Sequence, residues 1–157
     1  MTTQDIMVDG FKKLIVYQKA FELSTLIVRR TRSFPKELTY DLGAQMRRAA
    51  ISIPSNISEG YRRLSRKEFI QFLSVAYGSC GELQSQTEIA SNQHLIPDPE
   101  LARIQNLELE ISRMLWAMID RLRGKCVKKT RGVRIKREGE WTRMRVDEYV
   151  SGRVDKG

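Results

Sequence analysis

At 157 residues the chain has the length of one domain, enough to enclose an apolar core without disulfides or metals to brace it. Its two cysteines, Cys80 and Cys126, and its one histidine, His94, have no metal-ligand spacing, which excludes a zinc site, and no run of about 18 apolar residues is present to cross a membrane. The net charge of +9 is uneven: residues 1–123 hold 17 basic and 14 acidic groups, residues 124–157 hold 11 and 5, and such a tail suits a polyanionic partner.

The opening residues, MTTQDIMVDG, lack a basic segment followed by an apolar run, so a cytoplasmic location is expected. Val16, Ala20, Leu23 and Ile27 recur at alternating spacings of four and three, which predicts a first helix over about 13–32, ended by Ser33-Phe34-Pro35. A second helix is expected to begin between Pro35 and Thr39 and to bury Leu42, Met46, Ala49, Ile53 and Ile57. Ser65 and Glu68 have the spacing of a capping box, opening a third helix whose stripe is Phe69, Phe72, Ala76, Cys80, Leu83, Thr87 and Ala90 and which ends near Asn92. Cys80 on that stripe reads as a small core residue.

Asp98-Pro99-Glu100 supplies a cap, a proline at the first helical position and an acid after it; the fourth helix then faces inward with Leu101, Ile104, Leu107, Ile111, Leu115, Met118 and Leu122. Four helices joined by short connections predict an all-α, antiparallel up-and-down bundle over 1–123, with 124–157 as a basic C-terminal tail. Around Glu138-Gly139 the tail alternates weakly, and a hairpin, a disordered arm and an extension of the fourth helix all fit.

Pro54 interrupts the second helix, since it has no N–H to donate to residue 50 and its ring crowds that turn, a cost of about 3 kcal/mol if uncompensated. A kink or break is expected just before it, with Ser55 or Asn56 capping a restart and Glu59 closing the motif. Gln45, Arg48, Ser52, Ser55 or Asn56, Glu59 and Arg63 also form a polar stripe. Three readings are open for it: a wet face with repair of the kink, which is the plainest, a subunit contact, and a ligand or RNA site. Gly78 and Gly81 in the third helix each cost about 1 kcal/mol against alanine, and close packing inside the bundle is slightly preferred to packing between bundles as their reason.

The segments LIVYQKAFEL and FPKELTYDLGAQMRRAAISIPSNISEGYRRLSRKEFIQFLSVAYGSCGELQSQ resemble the four-helix-bundle proteins encoded within intervening sequences of bacterial 23S ribosomal RNA. The resemblance covers about residues 11–123 and is most specific in QMRRAAISIPSNISEG followed by SRKEF; Tyr17, Ser58 and NQHLI depart from the common pattern, and the tail lies outside it. It implies a ring-like homopentamer with no established enzymatic activity and a role in binding RNA. Relatives of similar shape act as accessory subunits of diversity-generating retroelements, where a basic pentamer binds a reverse transcriptase and its RNA. By this resemblance Arg48, Ser52, Asn56 and Glu59 serve the fold or the ring rather than catalysis.

No enzymatic pattern competes. His94 has no serine, cysteine and acid pattern around it, and Glu59 with Arg63 has the spacing of a helix ion pair. No cofactor is expected. The nucleic-acid-binding residues expected on the bundle are Arg47, Arg48, Arg62, Arg63, Arg66 and Lys67. From Arg121 to Arg137 follow nine cations without an acid: Arg121, Arg123, Lys125, Lys128, Lys129, Arg131, Arg134, Lys136 and Arg137. For Trp141 and Tyr149 two readings are equally open, stacking on exposed bases and folding back on the bundle. The fold or subunit seam is Gln45, Arg48, Ser52, Pro54, Ser55, Asn56, Glu59, Gly78 and Gly81. The expected partners are RNA and further copies of the chain, with a reverse transcriptase scaffold as the alternative and no membrane.

Overall fold

The computed structural model describes residues 10–124 and the strand segments 133–137 and 140–144. The chain divides into two compact units, Met1–Arg123 and Gly124–Gly157. The first holds four long helices, α1 (Ile15–Thr31), α2 (Leu42–Tyr61), α3 (Arg66–Asn92) and α4 (Asp98–Leu122), with a 3-10 turn at Gly10–Lys13 and a short helix at Lys36–Tyr40. Each long helix packs on its neighbour in sequence, and α1 also packs on α4. The direction of that last pair is set by Lys19 with Glu110 (2.5 Å), Arg103 with Glu22 (2.7 Å) and Arg30 with Glu100, which run in opposite senses along the two helices. The result is the all-α antiparallel four-helix bundle.

The apolar stripes meet at the centre, where Leu23, Ile27, Met46, Ile53, Ile57, Leu73, Leu83, Ile104, Ile111 and Leu115 are fully buried. Removing this surface from water is the main favourable term for the fold. In the second unit β1 (Val133–Arg137) pairs antiparallel with β2 (Glu140–Met144), setting Arg134 opposite Arg143 and Lys136 opposite Trp141. Of the three arrangements open for this stretch, the hairpin is therefore the one found.

Several local expectations are corrected. α2 neither breaks nor restarts at Pro54, because the carbonyl of Ala50 that the proline leaves without a donor lies 2.6 Å from the hydroxyl of Ser24 on α1. The repair is made across the helix interface; Asn56 instead turns back to donate to Ser52 O (2.7 Å) and Oγ (2.9 Å). Ser65 occupies the N-cap position of α3 but its side chain makes no capping bond, and Glu68 lies 4.0 Å from Arg63. α4 starts one residue early, with Pro97 at the cap and Asp98 already helical. The second predicted helix comes in two pieces, divided at Asp41.

Candidate nucleic-acid interface

The up-and-down path brings to one end of the bundle the start of α1, the α2–α3 turn and the end of α4. The contacts there are direct: Phe11 meets Tyr61 edge-on at 6.4 Å between ring centres, and the Arg62 guanidinium lies 5.1 Å from the Phe11 ring. Gly60 makes the α2–α3 approach possible, since a Cβ there would fall 2.6 Å from Cβ of Phe72. This pole carries Lys12, Lys13, Arg62, Arg63, Arg66, Lys67, Arg121 and Arg123, all exposed, against Glu59, Glu68 and Asp120 among the described residues. Arg63 donates to Glu59 Oε1 at 2.5 Å and lies over the Phe72 ring at 5.0 Å. Among the described residues no carboxylate pairs with Arg66, Lys67, Arg121 or Arg123. An open groove of about 490 Å³ runs beside the turn, lined by Ser55, Ser58, Glu59, Arg62 and Arg63.

Two of the expected cations stand apart from this pole. Arg47 turns into the fold, its Nη1 donating to Thr31 Oγ1 (3.1 Å) and its Nη2 to Thr39 O (3.2 Å), so it ties α1, the short helix and α2 together. Arg48, near the start of α2, is exposed. In the tail Lys125, Lys128, Lys129, Arg131 and Tyr149 lie outside the described residues, while Arg134, Lys136 and Arg137 lie along β1 and Trp141 along β2.

The polar stripe of α2 separates into an inner and an outer part. Ser52 and Ser79 share a hydrogen bond of 2.9 Å between α2 and α3, and Asn56 braces Ser52, so these two belong to the fold. Pro54 is buried, whereas Gln45, Arg48, Ser55 and Glu59 face outward. Gly78 and Gly81 overturn the packing expected of them inside the bundle: both are exposed, and a Cβ on either would meet nothing within 4 Å. Their glycine character has no cause within the bundle. Tyr77 and Trp116, exposed nearby on α3 and α4, pair at 5.9 Å between ring centres.

Away from the pole, the α3–α4 contact encloses a group that sequence reasoning missed. Glu108 is 2% exposed, and its Oε1 accepts from Thr87 Oγ1 at 2.6 Å. Burial pushes its carboxyl up to about 7, against the lowering effect of the Thr87 bond. The Cys80 thiol donates to the Glu108 carbonyl at 3.4 Å and accepts from Ser112 at 3.0 Å; burial raises the thiol as well. A signal was present, because Glu108 stands four after Ile104 and three before Ile111, on the buried stripe itself. His94, at the end of α3, is exposed with φ of 54°.

A model of the 23S rRNA-intervening sequence protein family matches residues 12–117. Among solved structures the chain is similar to a crystal structure at 1.70 Å of a protein with unknown function from the S23 ribosomal protein family of Bacteroides thetaiotaomicron VPI-5482, with 26% identity and a TM-score of 0.63. That similarity covers 68% of this chain and 96% of the other. Comparison with curated proteins finds no match.

Proposed function

From the chain's membership of the 23S rRNA-intervening sequence protein family, we propose that it is a non-enzymatic RNA-binding protein acting as a homopentamer. The observation that carries the RNA reading is the basic pole, where eight cations from separate segments stand against three carboxylates among the described residues. Phosphate contact supplies most of the affinity at such a surface, and it falls with salt because bound counterions are released. The tail follows directly in sequence from Arg123 and adds further cations.

Assembly is supported by the outer face of α3. Gly78 and Gly81 keep the helix surface low there, with Val75, Tyr77 and Trp116 exposed around it. A ring needs a face on one copy that fits a different face on the next, and a low helix surface lets backbones approach closely.

The test is a titration of structured and unstructured RNA into the full chain and into a variant with Lys128, Lys129 and Arg131 changed to Gln, each at two salt concentrations. If about five tail cations engage single-stranded RNA, log K falls with log salt at a slope near −3.5 from the tail, and the triple variant lowers that slope by about 2. Equal slopes for the two proteins would remove the tail from the interface, and no salt-dependent binding by either would remove the function. Light scattering at micromolar concentration should give five times the chain mass.

A further inference from the structure

At the tip of the basic pole the chain reads Arg62-Arg63-Leu64-Ser65-Arg66-Lys67, and Leu64 is 97% exposed. A single exposed leucine is ordinary. This one is the most exposed large apolar side chain of the described residues, and two cations stand on either side of it in sequence. Its surroundings are also braced: Arg62 lies over Phe11, Arg63 over Phe72 and against Glu59, and Gly60 locks α2 on α3 directly beneath. An apolar tip is thereby held out in water at the centre of a cationic surface, beside an open groove.

Resting on the RNA-binding reading, we infer that this turn is the part of the pole that meets an unpaired nucleotide: Leu64 packs on the exposed face of the base while Arg66 and Lys67 hold the flanking phosphates. Charge complementarity selects the partner, since a surface of this sign meets a polyanion. The leucine selects within that class. A continuous A-form duplex stacks its bases away from apolar side chains, whereas a bulge, loop or end leaves a base face open to one. Apolar side chains inserted at unstacked steps, with basic groups around them, are an established way of gripping nucleic acid. The groove lined by Ser55, Ser58 and Glu59 offers hydroxyl and carboxylate acceptors next to that position, suited to the donor groups of a base edge or a ribose 2′-hydroxyl.

The experiment uses the full chain and two RNA hairpins, one with a single-nucleotide bulge carrying 2-aminopurine and one fully paired. The wild type should bind the bulged hairpin about 10-fold more tightly, the order expected for covering one leucine side chain, and should change the 2-aminopurine fluorescence. Leu64→Ser should bind both hairpins alike with an unchanged salt slope, while Arg66→Gln with Lys67→Gln should weaken both and lower the slope by about 1.4 to 1.8. A Leu64→Ser protein that keeps the preference for the bulge overturns the inference. So does a change in its mass by light scattering, which would make Leu64 a subunit contact, or Leu64-dependent binding to phosphatidylserine vesicles that displaces RNA, which would make the tip a membrane contact. Wild type that binds both hairpins equally leaves the RNA reading standing and removes this inference; wild type that binds neither removes the RNA reading itself.

Discussion

Glu108 makes the stability of the bundle depend on pH. Its carboxyl sits at about 7 in the folded chain and near 4.5 when exposed, so the folded state holds the proton more tightly. A raised value means that the stability linked to this group is complete below about 4.5 and is lost as pH rises towards 7 and beyond, an effect of about 3 kcal/mol. Glu108→Gln keeps the polar shape without the charge. Chemical denaturation at pH 5 and pH 8 should therefore show a smaller loss in the variant, which should be the more stable protein at pH 8. A parallel fall in both proteins would rule out ionisation of Glu108 as the cause. Ser24 is a second residue whose role depends on its surroundings, since its hydroxyl lies 2.7 Å from Ala20 O and 2.6 Å from Ala50 O. Ser24→Ala should cost about 1 to 3 kcal/mol, the penalty of a buried acceptor left without a donor. In the background of Pro54→Ala, which restores an N–H to the helix, the same change should cost clearly less; additivity in a double-mutant cycle would show that the two residues do not answer one another.

Among the elements, α3 was the one least explained by its own apolar stripe. Of its expected stripe, Ala76, Cys80, Leu83, Thr87 and Ala90 are buried, whereas Phe69 and Phe72 are only half-buried and Leu73, absent from the expected stripe, is fully buried. The two glycines on its outer side have no packing inside the bundle, the slightly preferred of the two readings, because periodicity tells which residues share a face but not whether another helix covers it. Open space around both positions yields a separable prediction. Gly78→Ala with Gly81→Ala should raise the thermal stability of the isolated chain, by up to about 1 kcal/mol per site from helix propensity, while weakening assembly. Calorimetry and light scattering on the same samples would check both parts, and an unaltered mass would exclude this face from the subunit contact. The helix ends show the same limit. Ser65 and Asp98 have the right residue type for capping, yet neither side chain makes the bond, since capping depends on backbone angles that residue type alone does not set.

Taking the molecule as a unit, the pole is a product of topology. Lys12, the Arg62-to-Lys67 turn and Arg121 are remote from one another along the chain, and the composition records their cations only as a modest excess of base over acid before residue 124. An antiparallel path returns the chain to the same end after every second helix, so cations at the start of α1, between α2 and α3 and at the end of α4 become neighbours. Parallel placement of the same helices would scatter them. The local order of residues was enough for the number of long helices, the stripes they bury and the basic tail, because these follow from spacings within a few turns of chain. Packing across helices chose the rest: the Ser24 bond that lets α2 run through Pro54, the burial of Glu108, the inward turn of Arg47 and the gathering of charge at one pole. Each joins groups that are far apart in sequence, and no spacing rule within one helix can specify such a contact.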